Sequence, residues 1–379
     1  MTTSPADPAL PRTRAALTAG FDAGWHVGAQ LAVWHDGAPF ATVAEGIARP
    51  GVAMHHDSLI AWFSGTKLVT ATAVAQLVDR GLLDYDQPVS SVIPEFGTRG
   101  KDVVTIAQAL MHTGGFRRIA DGGEMFIGGI APDDLLTRIY DAPLEWVPGE
   151  RAGYHPVTGF HVLGEVVHRV DGRAFADYVA EEIFEPLGMG DSWIALSPER
   201  VGAYGDRIVT MHDTTTQPPQ VIGRFLKATG FAWAEPSSSG IGPVSDLVRL
   251  AEALRQGGSL EDQRILSPAA VATMTARRRV AMRDETFNSI MDWGLGVMVN
   301  SWQYAQRPTF YGYGDHAGPD AFGHGGRQSS LVFADPAHRL SFALACNGMP
   351  GEAANHRRTQ LVVNALYQDL GLAPLTLSV

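Results

Sequence analysis

Two apolar runs near the start of the chain, Gln30 to Trp34 and Pro39 to Val43, flank His35-Asp36-Gly37, and that turn chemistry predicts a β-hairpin. A second hairpin is read near the far end. There Leu331 to Ala334 and Leu340 to Ala345 bracket Asp335-Pro336-Ala337-His338, and an apolar helical stretch, Leu361 to Leu370, follows. With a short helical candidate around Ala15 to Ala23, both termini supply antiparallel strands and a helix to what could be one sheet. From roughly Asp84 to Pro236 the pattern is helical and broken by Gly and Pro, as in Ile106 to Met111, Asp133 to Tyr140 and Phe160 to Val170. The expected fold is therefore α/β (α+β): an antiparallel sheet flanked by helices, built from residues 1–83 and 237–379, with a mostly helical lobe, 84–236, inserted. Pro236-Ser237-Ser238-Ser239-Gly240 reads as the chain crossing back to the sheet. A cleft between the lobes is where a site is expected.

One helix carries chemistry at its start. Val74, Leu77, Val78 and Leu82 recur at the spacing of a core-facing stripe, with Gly81 near the end, and Ser64-Gly65-Thr66-Lys67 stands at the N-terminal tip. Residues three apart on a helix share a face, with Cβ atoms about 5–6 Å apart. The Lys67 amine can therefore fold back to Ser64 and take the proton of a hydroxyl that is otherwise a poor nucleophile. Unpaired N–H groups and the positive end of the helix dipole would stabilise negative charge developing there. Taken alone, the motif also reads as a plain N-cap at Ser64.

Composition narrows the classes. With 379 residues, 45% hydrophobic and 18% charged, the chain has ample core for a compact body with a second lobe. A formal charge of −11 and no Lys/Arg run argue against a nucleic-acid partner. Cys346 is the single cysteine, so intrachain disulfides and cysteine-rich metal sites are excluded, and it reads as a small buried residue of a strand. Met1 to Arg14 is polar, without the apolar segment of a secretory signal. No run approaches the roughly 18 apolar residues of a membrane span. The expected location is cytoplasmic.

Three other groups of residues bear on chemistry. Tyr154 sits on a loop after Trp146-Val147-Pro148-Gly149-Glu150 and before a helix starting near Thr158, where a neighbouring ammonium would lower its phenol and make it a proton shuttle; taken in isolation it reads as a half-buried aromatic. Ala321-Phe322-Gly323-His324-Gly325-Gly326-Arg327 precedes the second hairpin and reads either as an oxyanion and substrate-lining strand or as a glycine-rich turn. His161, Glu165 and His168 recur along one helix, but Phe160, Leu163, Val167 and Val170 form its apolar stripe, so the three are expected on the solvated face. Neither they, nor His55 and His56, nor His316, Asp320 and His324 show a spacing that specifies a metal, and no metal or other cofactor is expected. GxSxG, GxxxxGK[ST] and GxGxxG are all absent from the sequence.

Ser64-Gly65-Thr66-Lys67, Tyr154 and His324-Gly325-Gly326, in this order and spacing, resemble the serine β-lactamase and penicillin-binding superfamily, and more narrowly its class C β-lactamase-related members with the family VIII carboxylesterases. Leu110-Met111-His112-Thr113-Gly114-Gly115 is similar to the family's "LLxHTSG", Ile183 to Met189 to its "IFxPLGM", and Ser238 to Asp246 to its "SGGLxSTxxD". The resemblance implies an acyl-enzyme on Ser64, with Lys67 and Tyr154 sharing the proton traffic and the backbone N–H groups of Ser64 and Arg327 holding the oxyanion. Two departures stand out. The usual Tyr-Ser-Asn or Tyr-Ala-Asn is Tyr154-His155-Pro156, and the usual Lys-Thr-Gly is His324-Gly325-Gly326, so groups that pair with an anionic β-lactam or a peptide are missing.

Substrate contacts are expected from His324, Gly325 and Gly326 and from Phe63, Phe116, Trp233 and Tyr311, with Trp62, Trp302 and Tyr313 as further candidate walls. The leading expectation is a carboxylesterase whose partner is a small-molecule ester of small to medium acyl length. An acyltransferase or an amide or β-lactam hydrolase would use the same set, and a catalytically silent binding module is the alternative of another class.

Overall fold

The His35-Asp36-Gly37 turn closes the expected hairpin. A computed structural model describes residues 10–119, 132–223, 228–304 and 311–372, so residues 1–9 of the N-terminal stretch lie outside the described residues. In it β1 (Gly28–His35) runs antiparallel to β2 (Ala38–Arg49), and Asp36 and Gly37 take the positive φ values, 55° and 87°, that so tight a connection requires. The sheet is completed by β3 (Val52–Ala53), β4 (Asp292–Trp293), β5 (Met298–Val299), β6 (Phe322–Gly325), β7 (Ser330–Asp335) and β8 (Leu340–Cys346). Its order is β4-β5-β6-β7-β8-β1-β2-β3, with every neighbouring pair antiparallel. The two ends of the chain meet at its centre, where Leu31 of β1 faces Leu344 of β8.

Alternation along the central strands divides large side chains from small ones. Leu31, Val33, Phe333, Phe342 and Leu344 point to one face, where Leu17 of α1 (Pro11–Asp22) and Val362, Val363 and Leu366 of α5 (Glu352–Asp369) cover them. Ala32, Ala343 and Ala345 line the other face, and their small size lets α4 (Val244–Arg255) lie close against it. That second core continues through α2 (Thr66–Asp79) to Phe96, Phe116 and Phe160, the last on α3 (Thr158–Asp171). The other expected helices are Ile106–Leu110 and Pro132–Asp141. Among the described residues no helix is long and apolar enough to cross a membrane.

The helix bearing the Ser/Lys pair departs from its expected stripe. Every residue of α2 from Thr66 to Leu77 is buried, because sheet, α3 and the segment after Pro236 surround it, and a helix enclosed on all sides shows no single apolar face. It ends at Asp79, Gly81 takes φ +71°, and Leu82, expected inside, is 56% exposed.

Candidate active site

Ser64 lies on a single 3-10 turn, Phe63–Gly65, that feeds directly into α2. Phe63 is buried with φ +48°, a sparsely populated conformation for a bulky residue, and it turns Ser64 out of the preceding strand, leaving the serine half-buried. One turn on, Lys67 is wholly buried and its Nζ stands 3.2 Å from Ser64 Oγ, 2.7 Å from the Pro156 carbonyl and 3.0 Å from the Ser237 carbonyl. Burial pushes the Lys67 ammonium from its usual 10.5 down to about 7, and the negative charge of Glu235 partly opposes that shift. The two carbonyls can only accept, so in the neutral amine they take both N–H groups and leave the lone pair aimed at Ser64.

Tyr154 reaches the same point from the loop before α3. Its phenol is hydrogen-bonded to Ser64, and its ring centre lies 5.0 Å from Lys67 Nζ. The expected lowering of the phenol is reversed: burial pushes Tyr154 above its usual 10.0, and the bond to Ser64 offsets only part of this. Tyr154 therefore stays a protonated donor. Its backbone is fixed from a distance, since its N–H donates to Asp284 Oδ1 at 3.0 Å and Asp284 Oδ2 accepts from Arg279 at 2.9 Å. Arg279 and Asp284 are both fully buried.

The glycine segment is a strand rather than a turn. His324 and Gly325 belong to β6, and Gly326 and Arg327 open the turn to β7. A Cβ on Gly326 would stand 2.2 Å from the Trp62 carbonyl, so only glycine lets this strand end lie against the residues leading into Ser64. Ser330 Oγ closes the same junction with a 2.5 Å bond to that carbonyl. On Gly325 the Tyr311 ring takes the space a side chain would fill, with Cδ1 2.1 Å from the virtual Cβ. Backbone N–H groups of Ser64 and Arg327 thus belong to neighbouring segments.

The two departures from the family pattern have physical consequences. Pro156 occupies the third position of the tyrosine triplet and offers Lys67 a carbonyl. His155 is buried, with Nδ1 2.7 Å from the Gly153 carbonyl and Nε2 accepting from Phe116 N at 3.2 Å, which makes it a neutral brace for the loop. His324 is 1% exposed, its Nδ1 lies 2.7 Å from the Gly325 carbonyl, and burial with Lys67 nearby pushes it down to about 3. It is neutral, with Nδ1 donating, and packs 6.0 Å from the Tyr154 ring.

Several expected wall residues are placed elsewhere. Phe116 is wholly buried against Phe96 and His155, so its expected substrate contact is replaced by core packing. Trp62 and Tyr313 are buried too, with their polar atoms donating to the carbonyls of Gly242 and Met298. Trp233 is 42% exposed on the segment leading to Glu235. Tyr311 joins Phe287 and Tyr154 in a chain of rings with centres 5.9 and 4.9 Å apart. His161 is also corrected: it is 5% exposed, because it turns from α3 toward Glu235, with Nδ1 3.3 Å from Oε1. Among the described residues no group of His, Cys, Asp and Glu is placed to hold a metal.

Sequence reasoning missed Glu235, Asp284, Arg279 and the Pro156 carbonyl. Glu235 alone left a signal: an acid ahead of three serines is the composition of a tight turn whose N–H and hydroxyl groups need an acceptor.

Comparison with known proteins places this geometry. The Beta-lactamase family model matches residues 13–367. Esterase EstB of Burkholderia gladioli is 30% identical over 86% of this chain and 88% of its own, and penicillin-binding protein 4 of Amycolatopsis lactamdurans is 30% identical over 85% and 81%. The crystal structure of a family VIII carboxylesterase superposes with a TM-score of 0.81 at 28% identity, covering 96% of this chain and 99% of that one. The chain belongs to the Beta-lactamase family and is a serine hydrolase of that superfamily.

Proposed function

We propose that the protein is a carboxylesterase that forms an acyl-enzyme on Ser64. The observation that carries this reading is the buried Lys67 amine, held by two carbonyls with its remaining valence 3.2 Å from Ser64 Oγ. With Lys67 brought to about 7, about half of the amine is a base at neutral pH. Ser64 Oγ attacks the ester carbonyl while its proton passes to Lys67 Nζ, and the backbone N–H groups of Ser64 and Arg327 receive the oxyanion. Collapse expels the alkoxide, which takes a proton from the Tyr154 phenol, and Tyr154 is replenished from the Lys67 ammonium. Water then attacks the acyl-serine, and the proton steps run in reverse.

The ester preference rests on the neutral His324, which stands where the family pattern has a lysine. With no cation there, a substrate carboxylate loses its partner, whereas an uncharged ester loses nothing. The name of EstB supports the same choice. Retention of Ser64, Lys67 and Tyr154 in one hydrogen-bonded group counts against a silent binding module. Cytoplasmic residence is part of this proposal, and cell fractionation checks it.

Hydrolysis of p-nitrophenyl esters of rising chain length tests the reading. Turnover highest for short to medium chains is expected, and no turnover at any length refutes it. Adding an alcohol during turnover separates the outcomes, since transester in place of free acid would identify an acyltransferase.

A further inference from the structure

Glu235 lies outside the reacting group, yet its carboxylate organises one side of it. Its side chain is 12% exposed. Oε1 accepts from Ser237 N at 3.2 Å and faces His161 Nδ1 at 3.3 Å, while Oε2 accepts from Ser238 Oγ at 2.7 Å and from Ser237 Oγ. The backbone closes on itself as well, with Ser238 N and Ser239 N both 3.0 Å from the Glu235 carbonyl. These bonds make residues 235–239 a compact turn whose outward carbonyls have no choice of direction. The Pro236 carbonyl accepts from Thr70 Oγ1 at 2.5 Å, and the Ser237 carbonyl accepts from Lys67 Nζ at 3.0 Å. The turn is also seated on α3, where Gly164 leaves room for Pro236: a Cβ there would stand 2.1 Å from Pro236 Cγ.

The charge balance singles out the same residue. Lys67 is surrounded by Tyr154, His112, His155, His324 and Glu235. Burial holds the three histidines well below their usual range and the tyrosine above its own, so at neutral pH none of these four is charged. Asp284 is spoken for by Arg279, and Glu352 acts on Tyr311, Tyr154 and Arg327 rather than on Lys67. Among the described residues, the carboxylate that acts on Lys67 is Glu235, itself faced by His161.

We propose that Glu235 is the positioning residue for Lys67: its carboxylate ties down the turn whose Ser237 carbonyl orients the amine toward Ser64, and its negative charge favours the ammonium form of that amine. The proposal rests on Lys67 being the base. Glu235 touches no substrate and acts only through Lys67. Removing the charge favours the neutral amine, so the acidic limb of activity must move to lower pH, whereas loosening the turn lowers the rate without moving the limb.

The test is the pH profile of kcat/KM for the wild type, Glu235→Gln and Glu235→Asp, with rates normalised to Ser64 titrated by a fluorophosphonate so that partial folding is removed from the comparison. The Gln variant keeps an acceptor for Ser237 and loses the charge; its limb is expected lower by on the order of one pH unit. The Asp variant keeps the charge and shortens the reach; its limb is expected at the wild-type position, with a reduced kcat. A Gln limb that coincides with the wild-type limb, or an Asp limb that moves with the Gln limb, overturns the role of Glu235 while leaving Lys67 as the base. A wild-type profile flat between about pH 5.5 and 8.5 overturns both.

Discussion

Replacing Asp284 with alanine would separate how Tyr154 is held from what it does. Asp284 Oδ2 pairs with Arg279 at 2.9 Å, and Oδ1 accepts from the backbone N–H groups of Tyr154, Thr286 and Phe287 at 3.0, 2.9 and 3.1 Å. Both charged side chains are fully buried, and Arg279 also donates to the carbonyls of Met111 and Met291 and stacks 5.2 Å from the Trp293 ring. Asp284→Ala therefore leaves the buried guanidinium without its hydrogen-bonded ion-pair partner, which costs about 3–5 kcal/mol of stability. An unfolding entropy of about 2.1 cal/mol/K per residue gives about 0.8 kcal/mol/K for 379 residues, so the melting temperature falls by about 4–6 °C. Activity falls for a different reason. With its N–H unanchored Tyr154 drifts, and a displacement near 1 Å costs on the order of 100-fold in kcat/KM.

Thermal denaturation and p-nitrophenyl ester kinetics read the two effects separately. Adding Arg279→Met to Asp284→Ala removes the stranded charge and is expected to recover at least half of the lost stability, about 2 kcal/mol, without restoring the rate. Asp284→Ala stable to within about 1 kcal/mol and as active as the wild type would refute the reasoning on both counts.

Two further outcomes follow from the site. In the proposed mechanism the neutral amine of Lys67 is the active form, and burial lowers its ordinary value to about 7, so acylation is expected to rise with pH through that value and level off above it, with about a tenth of the plateau one unit below. Because Tyr154 is held above its usual value, the plateau is expected to extend well into the alkaline range; stopped-flow acylation by an activated ester measures both. Gly326→Ala places a Cβ 2.2 Å from the Trp62 carbonyl and 2.1 Å from Ser330 Oγ, forcing the strand end away from Ser64. A cost of about 1–3 kcal/mol and a loss of kcat of at least about tenfold are expected in melting and kinetic assays, since the backbone carbonyl cannot yield.

Local signals and long-range ones differed in how far the sequence revealed them. The first hairpin was legible because Asp36 and Gly37 supply positive φ within the turn itself, and the second because its apolar runs face one another across a short polar link. The Ser64/Lys67 pair was legible because helical geometry alone brings them together. The stripe along α2 misled, since burial on every side erases the contrast that a periodicity reading depends on. Tyr154 could be placed on a loop, but the sign of its shift depends on how deeply other segments bury it, and no local pattern carries that. Glu235 and Asp284 act on Lys67 and Tyr154 across separations of 168 and 130 residues, so only folding reveals them. His161 misled for a related reason, its buried partner being contributed by the turn at Glu235.

The claim on which the rest depends is that Ser64 is a nucleophile made reactive by Lys67. Intact-protein and peptide mass spectrometry after incubation with a fluorophosphonate tests it most directly. One adduct per chain, on the peptide containing Ser64, is expected in the wild type, with none in Lys67→Ala that keeps the wild-type circular dichroism. An adduct on another residue, or equal labelling of Ser64 without Lys67, would contradict it.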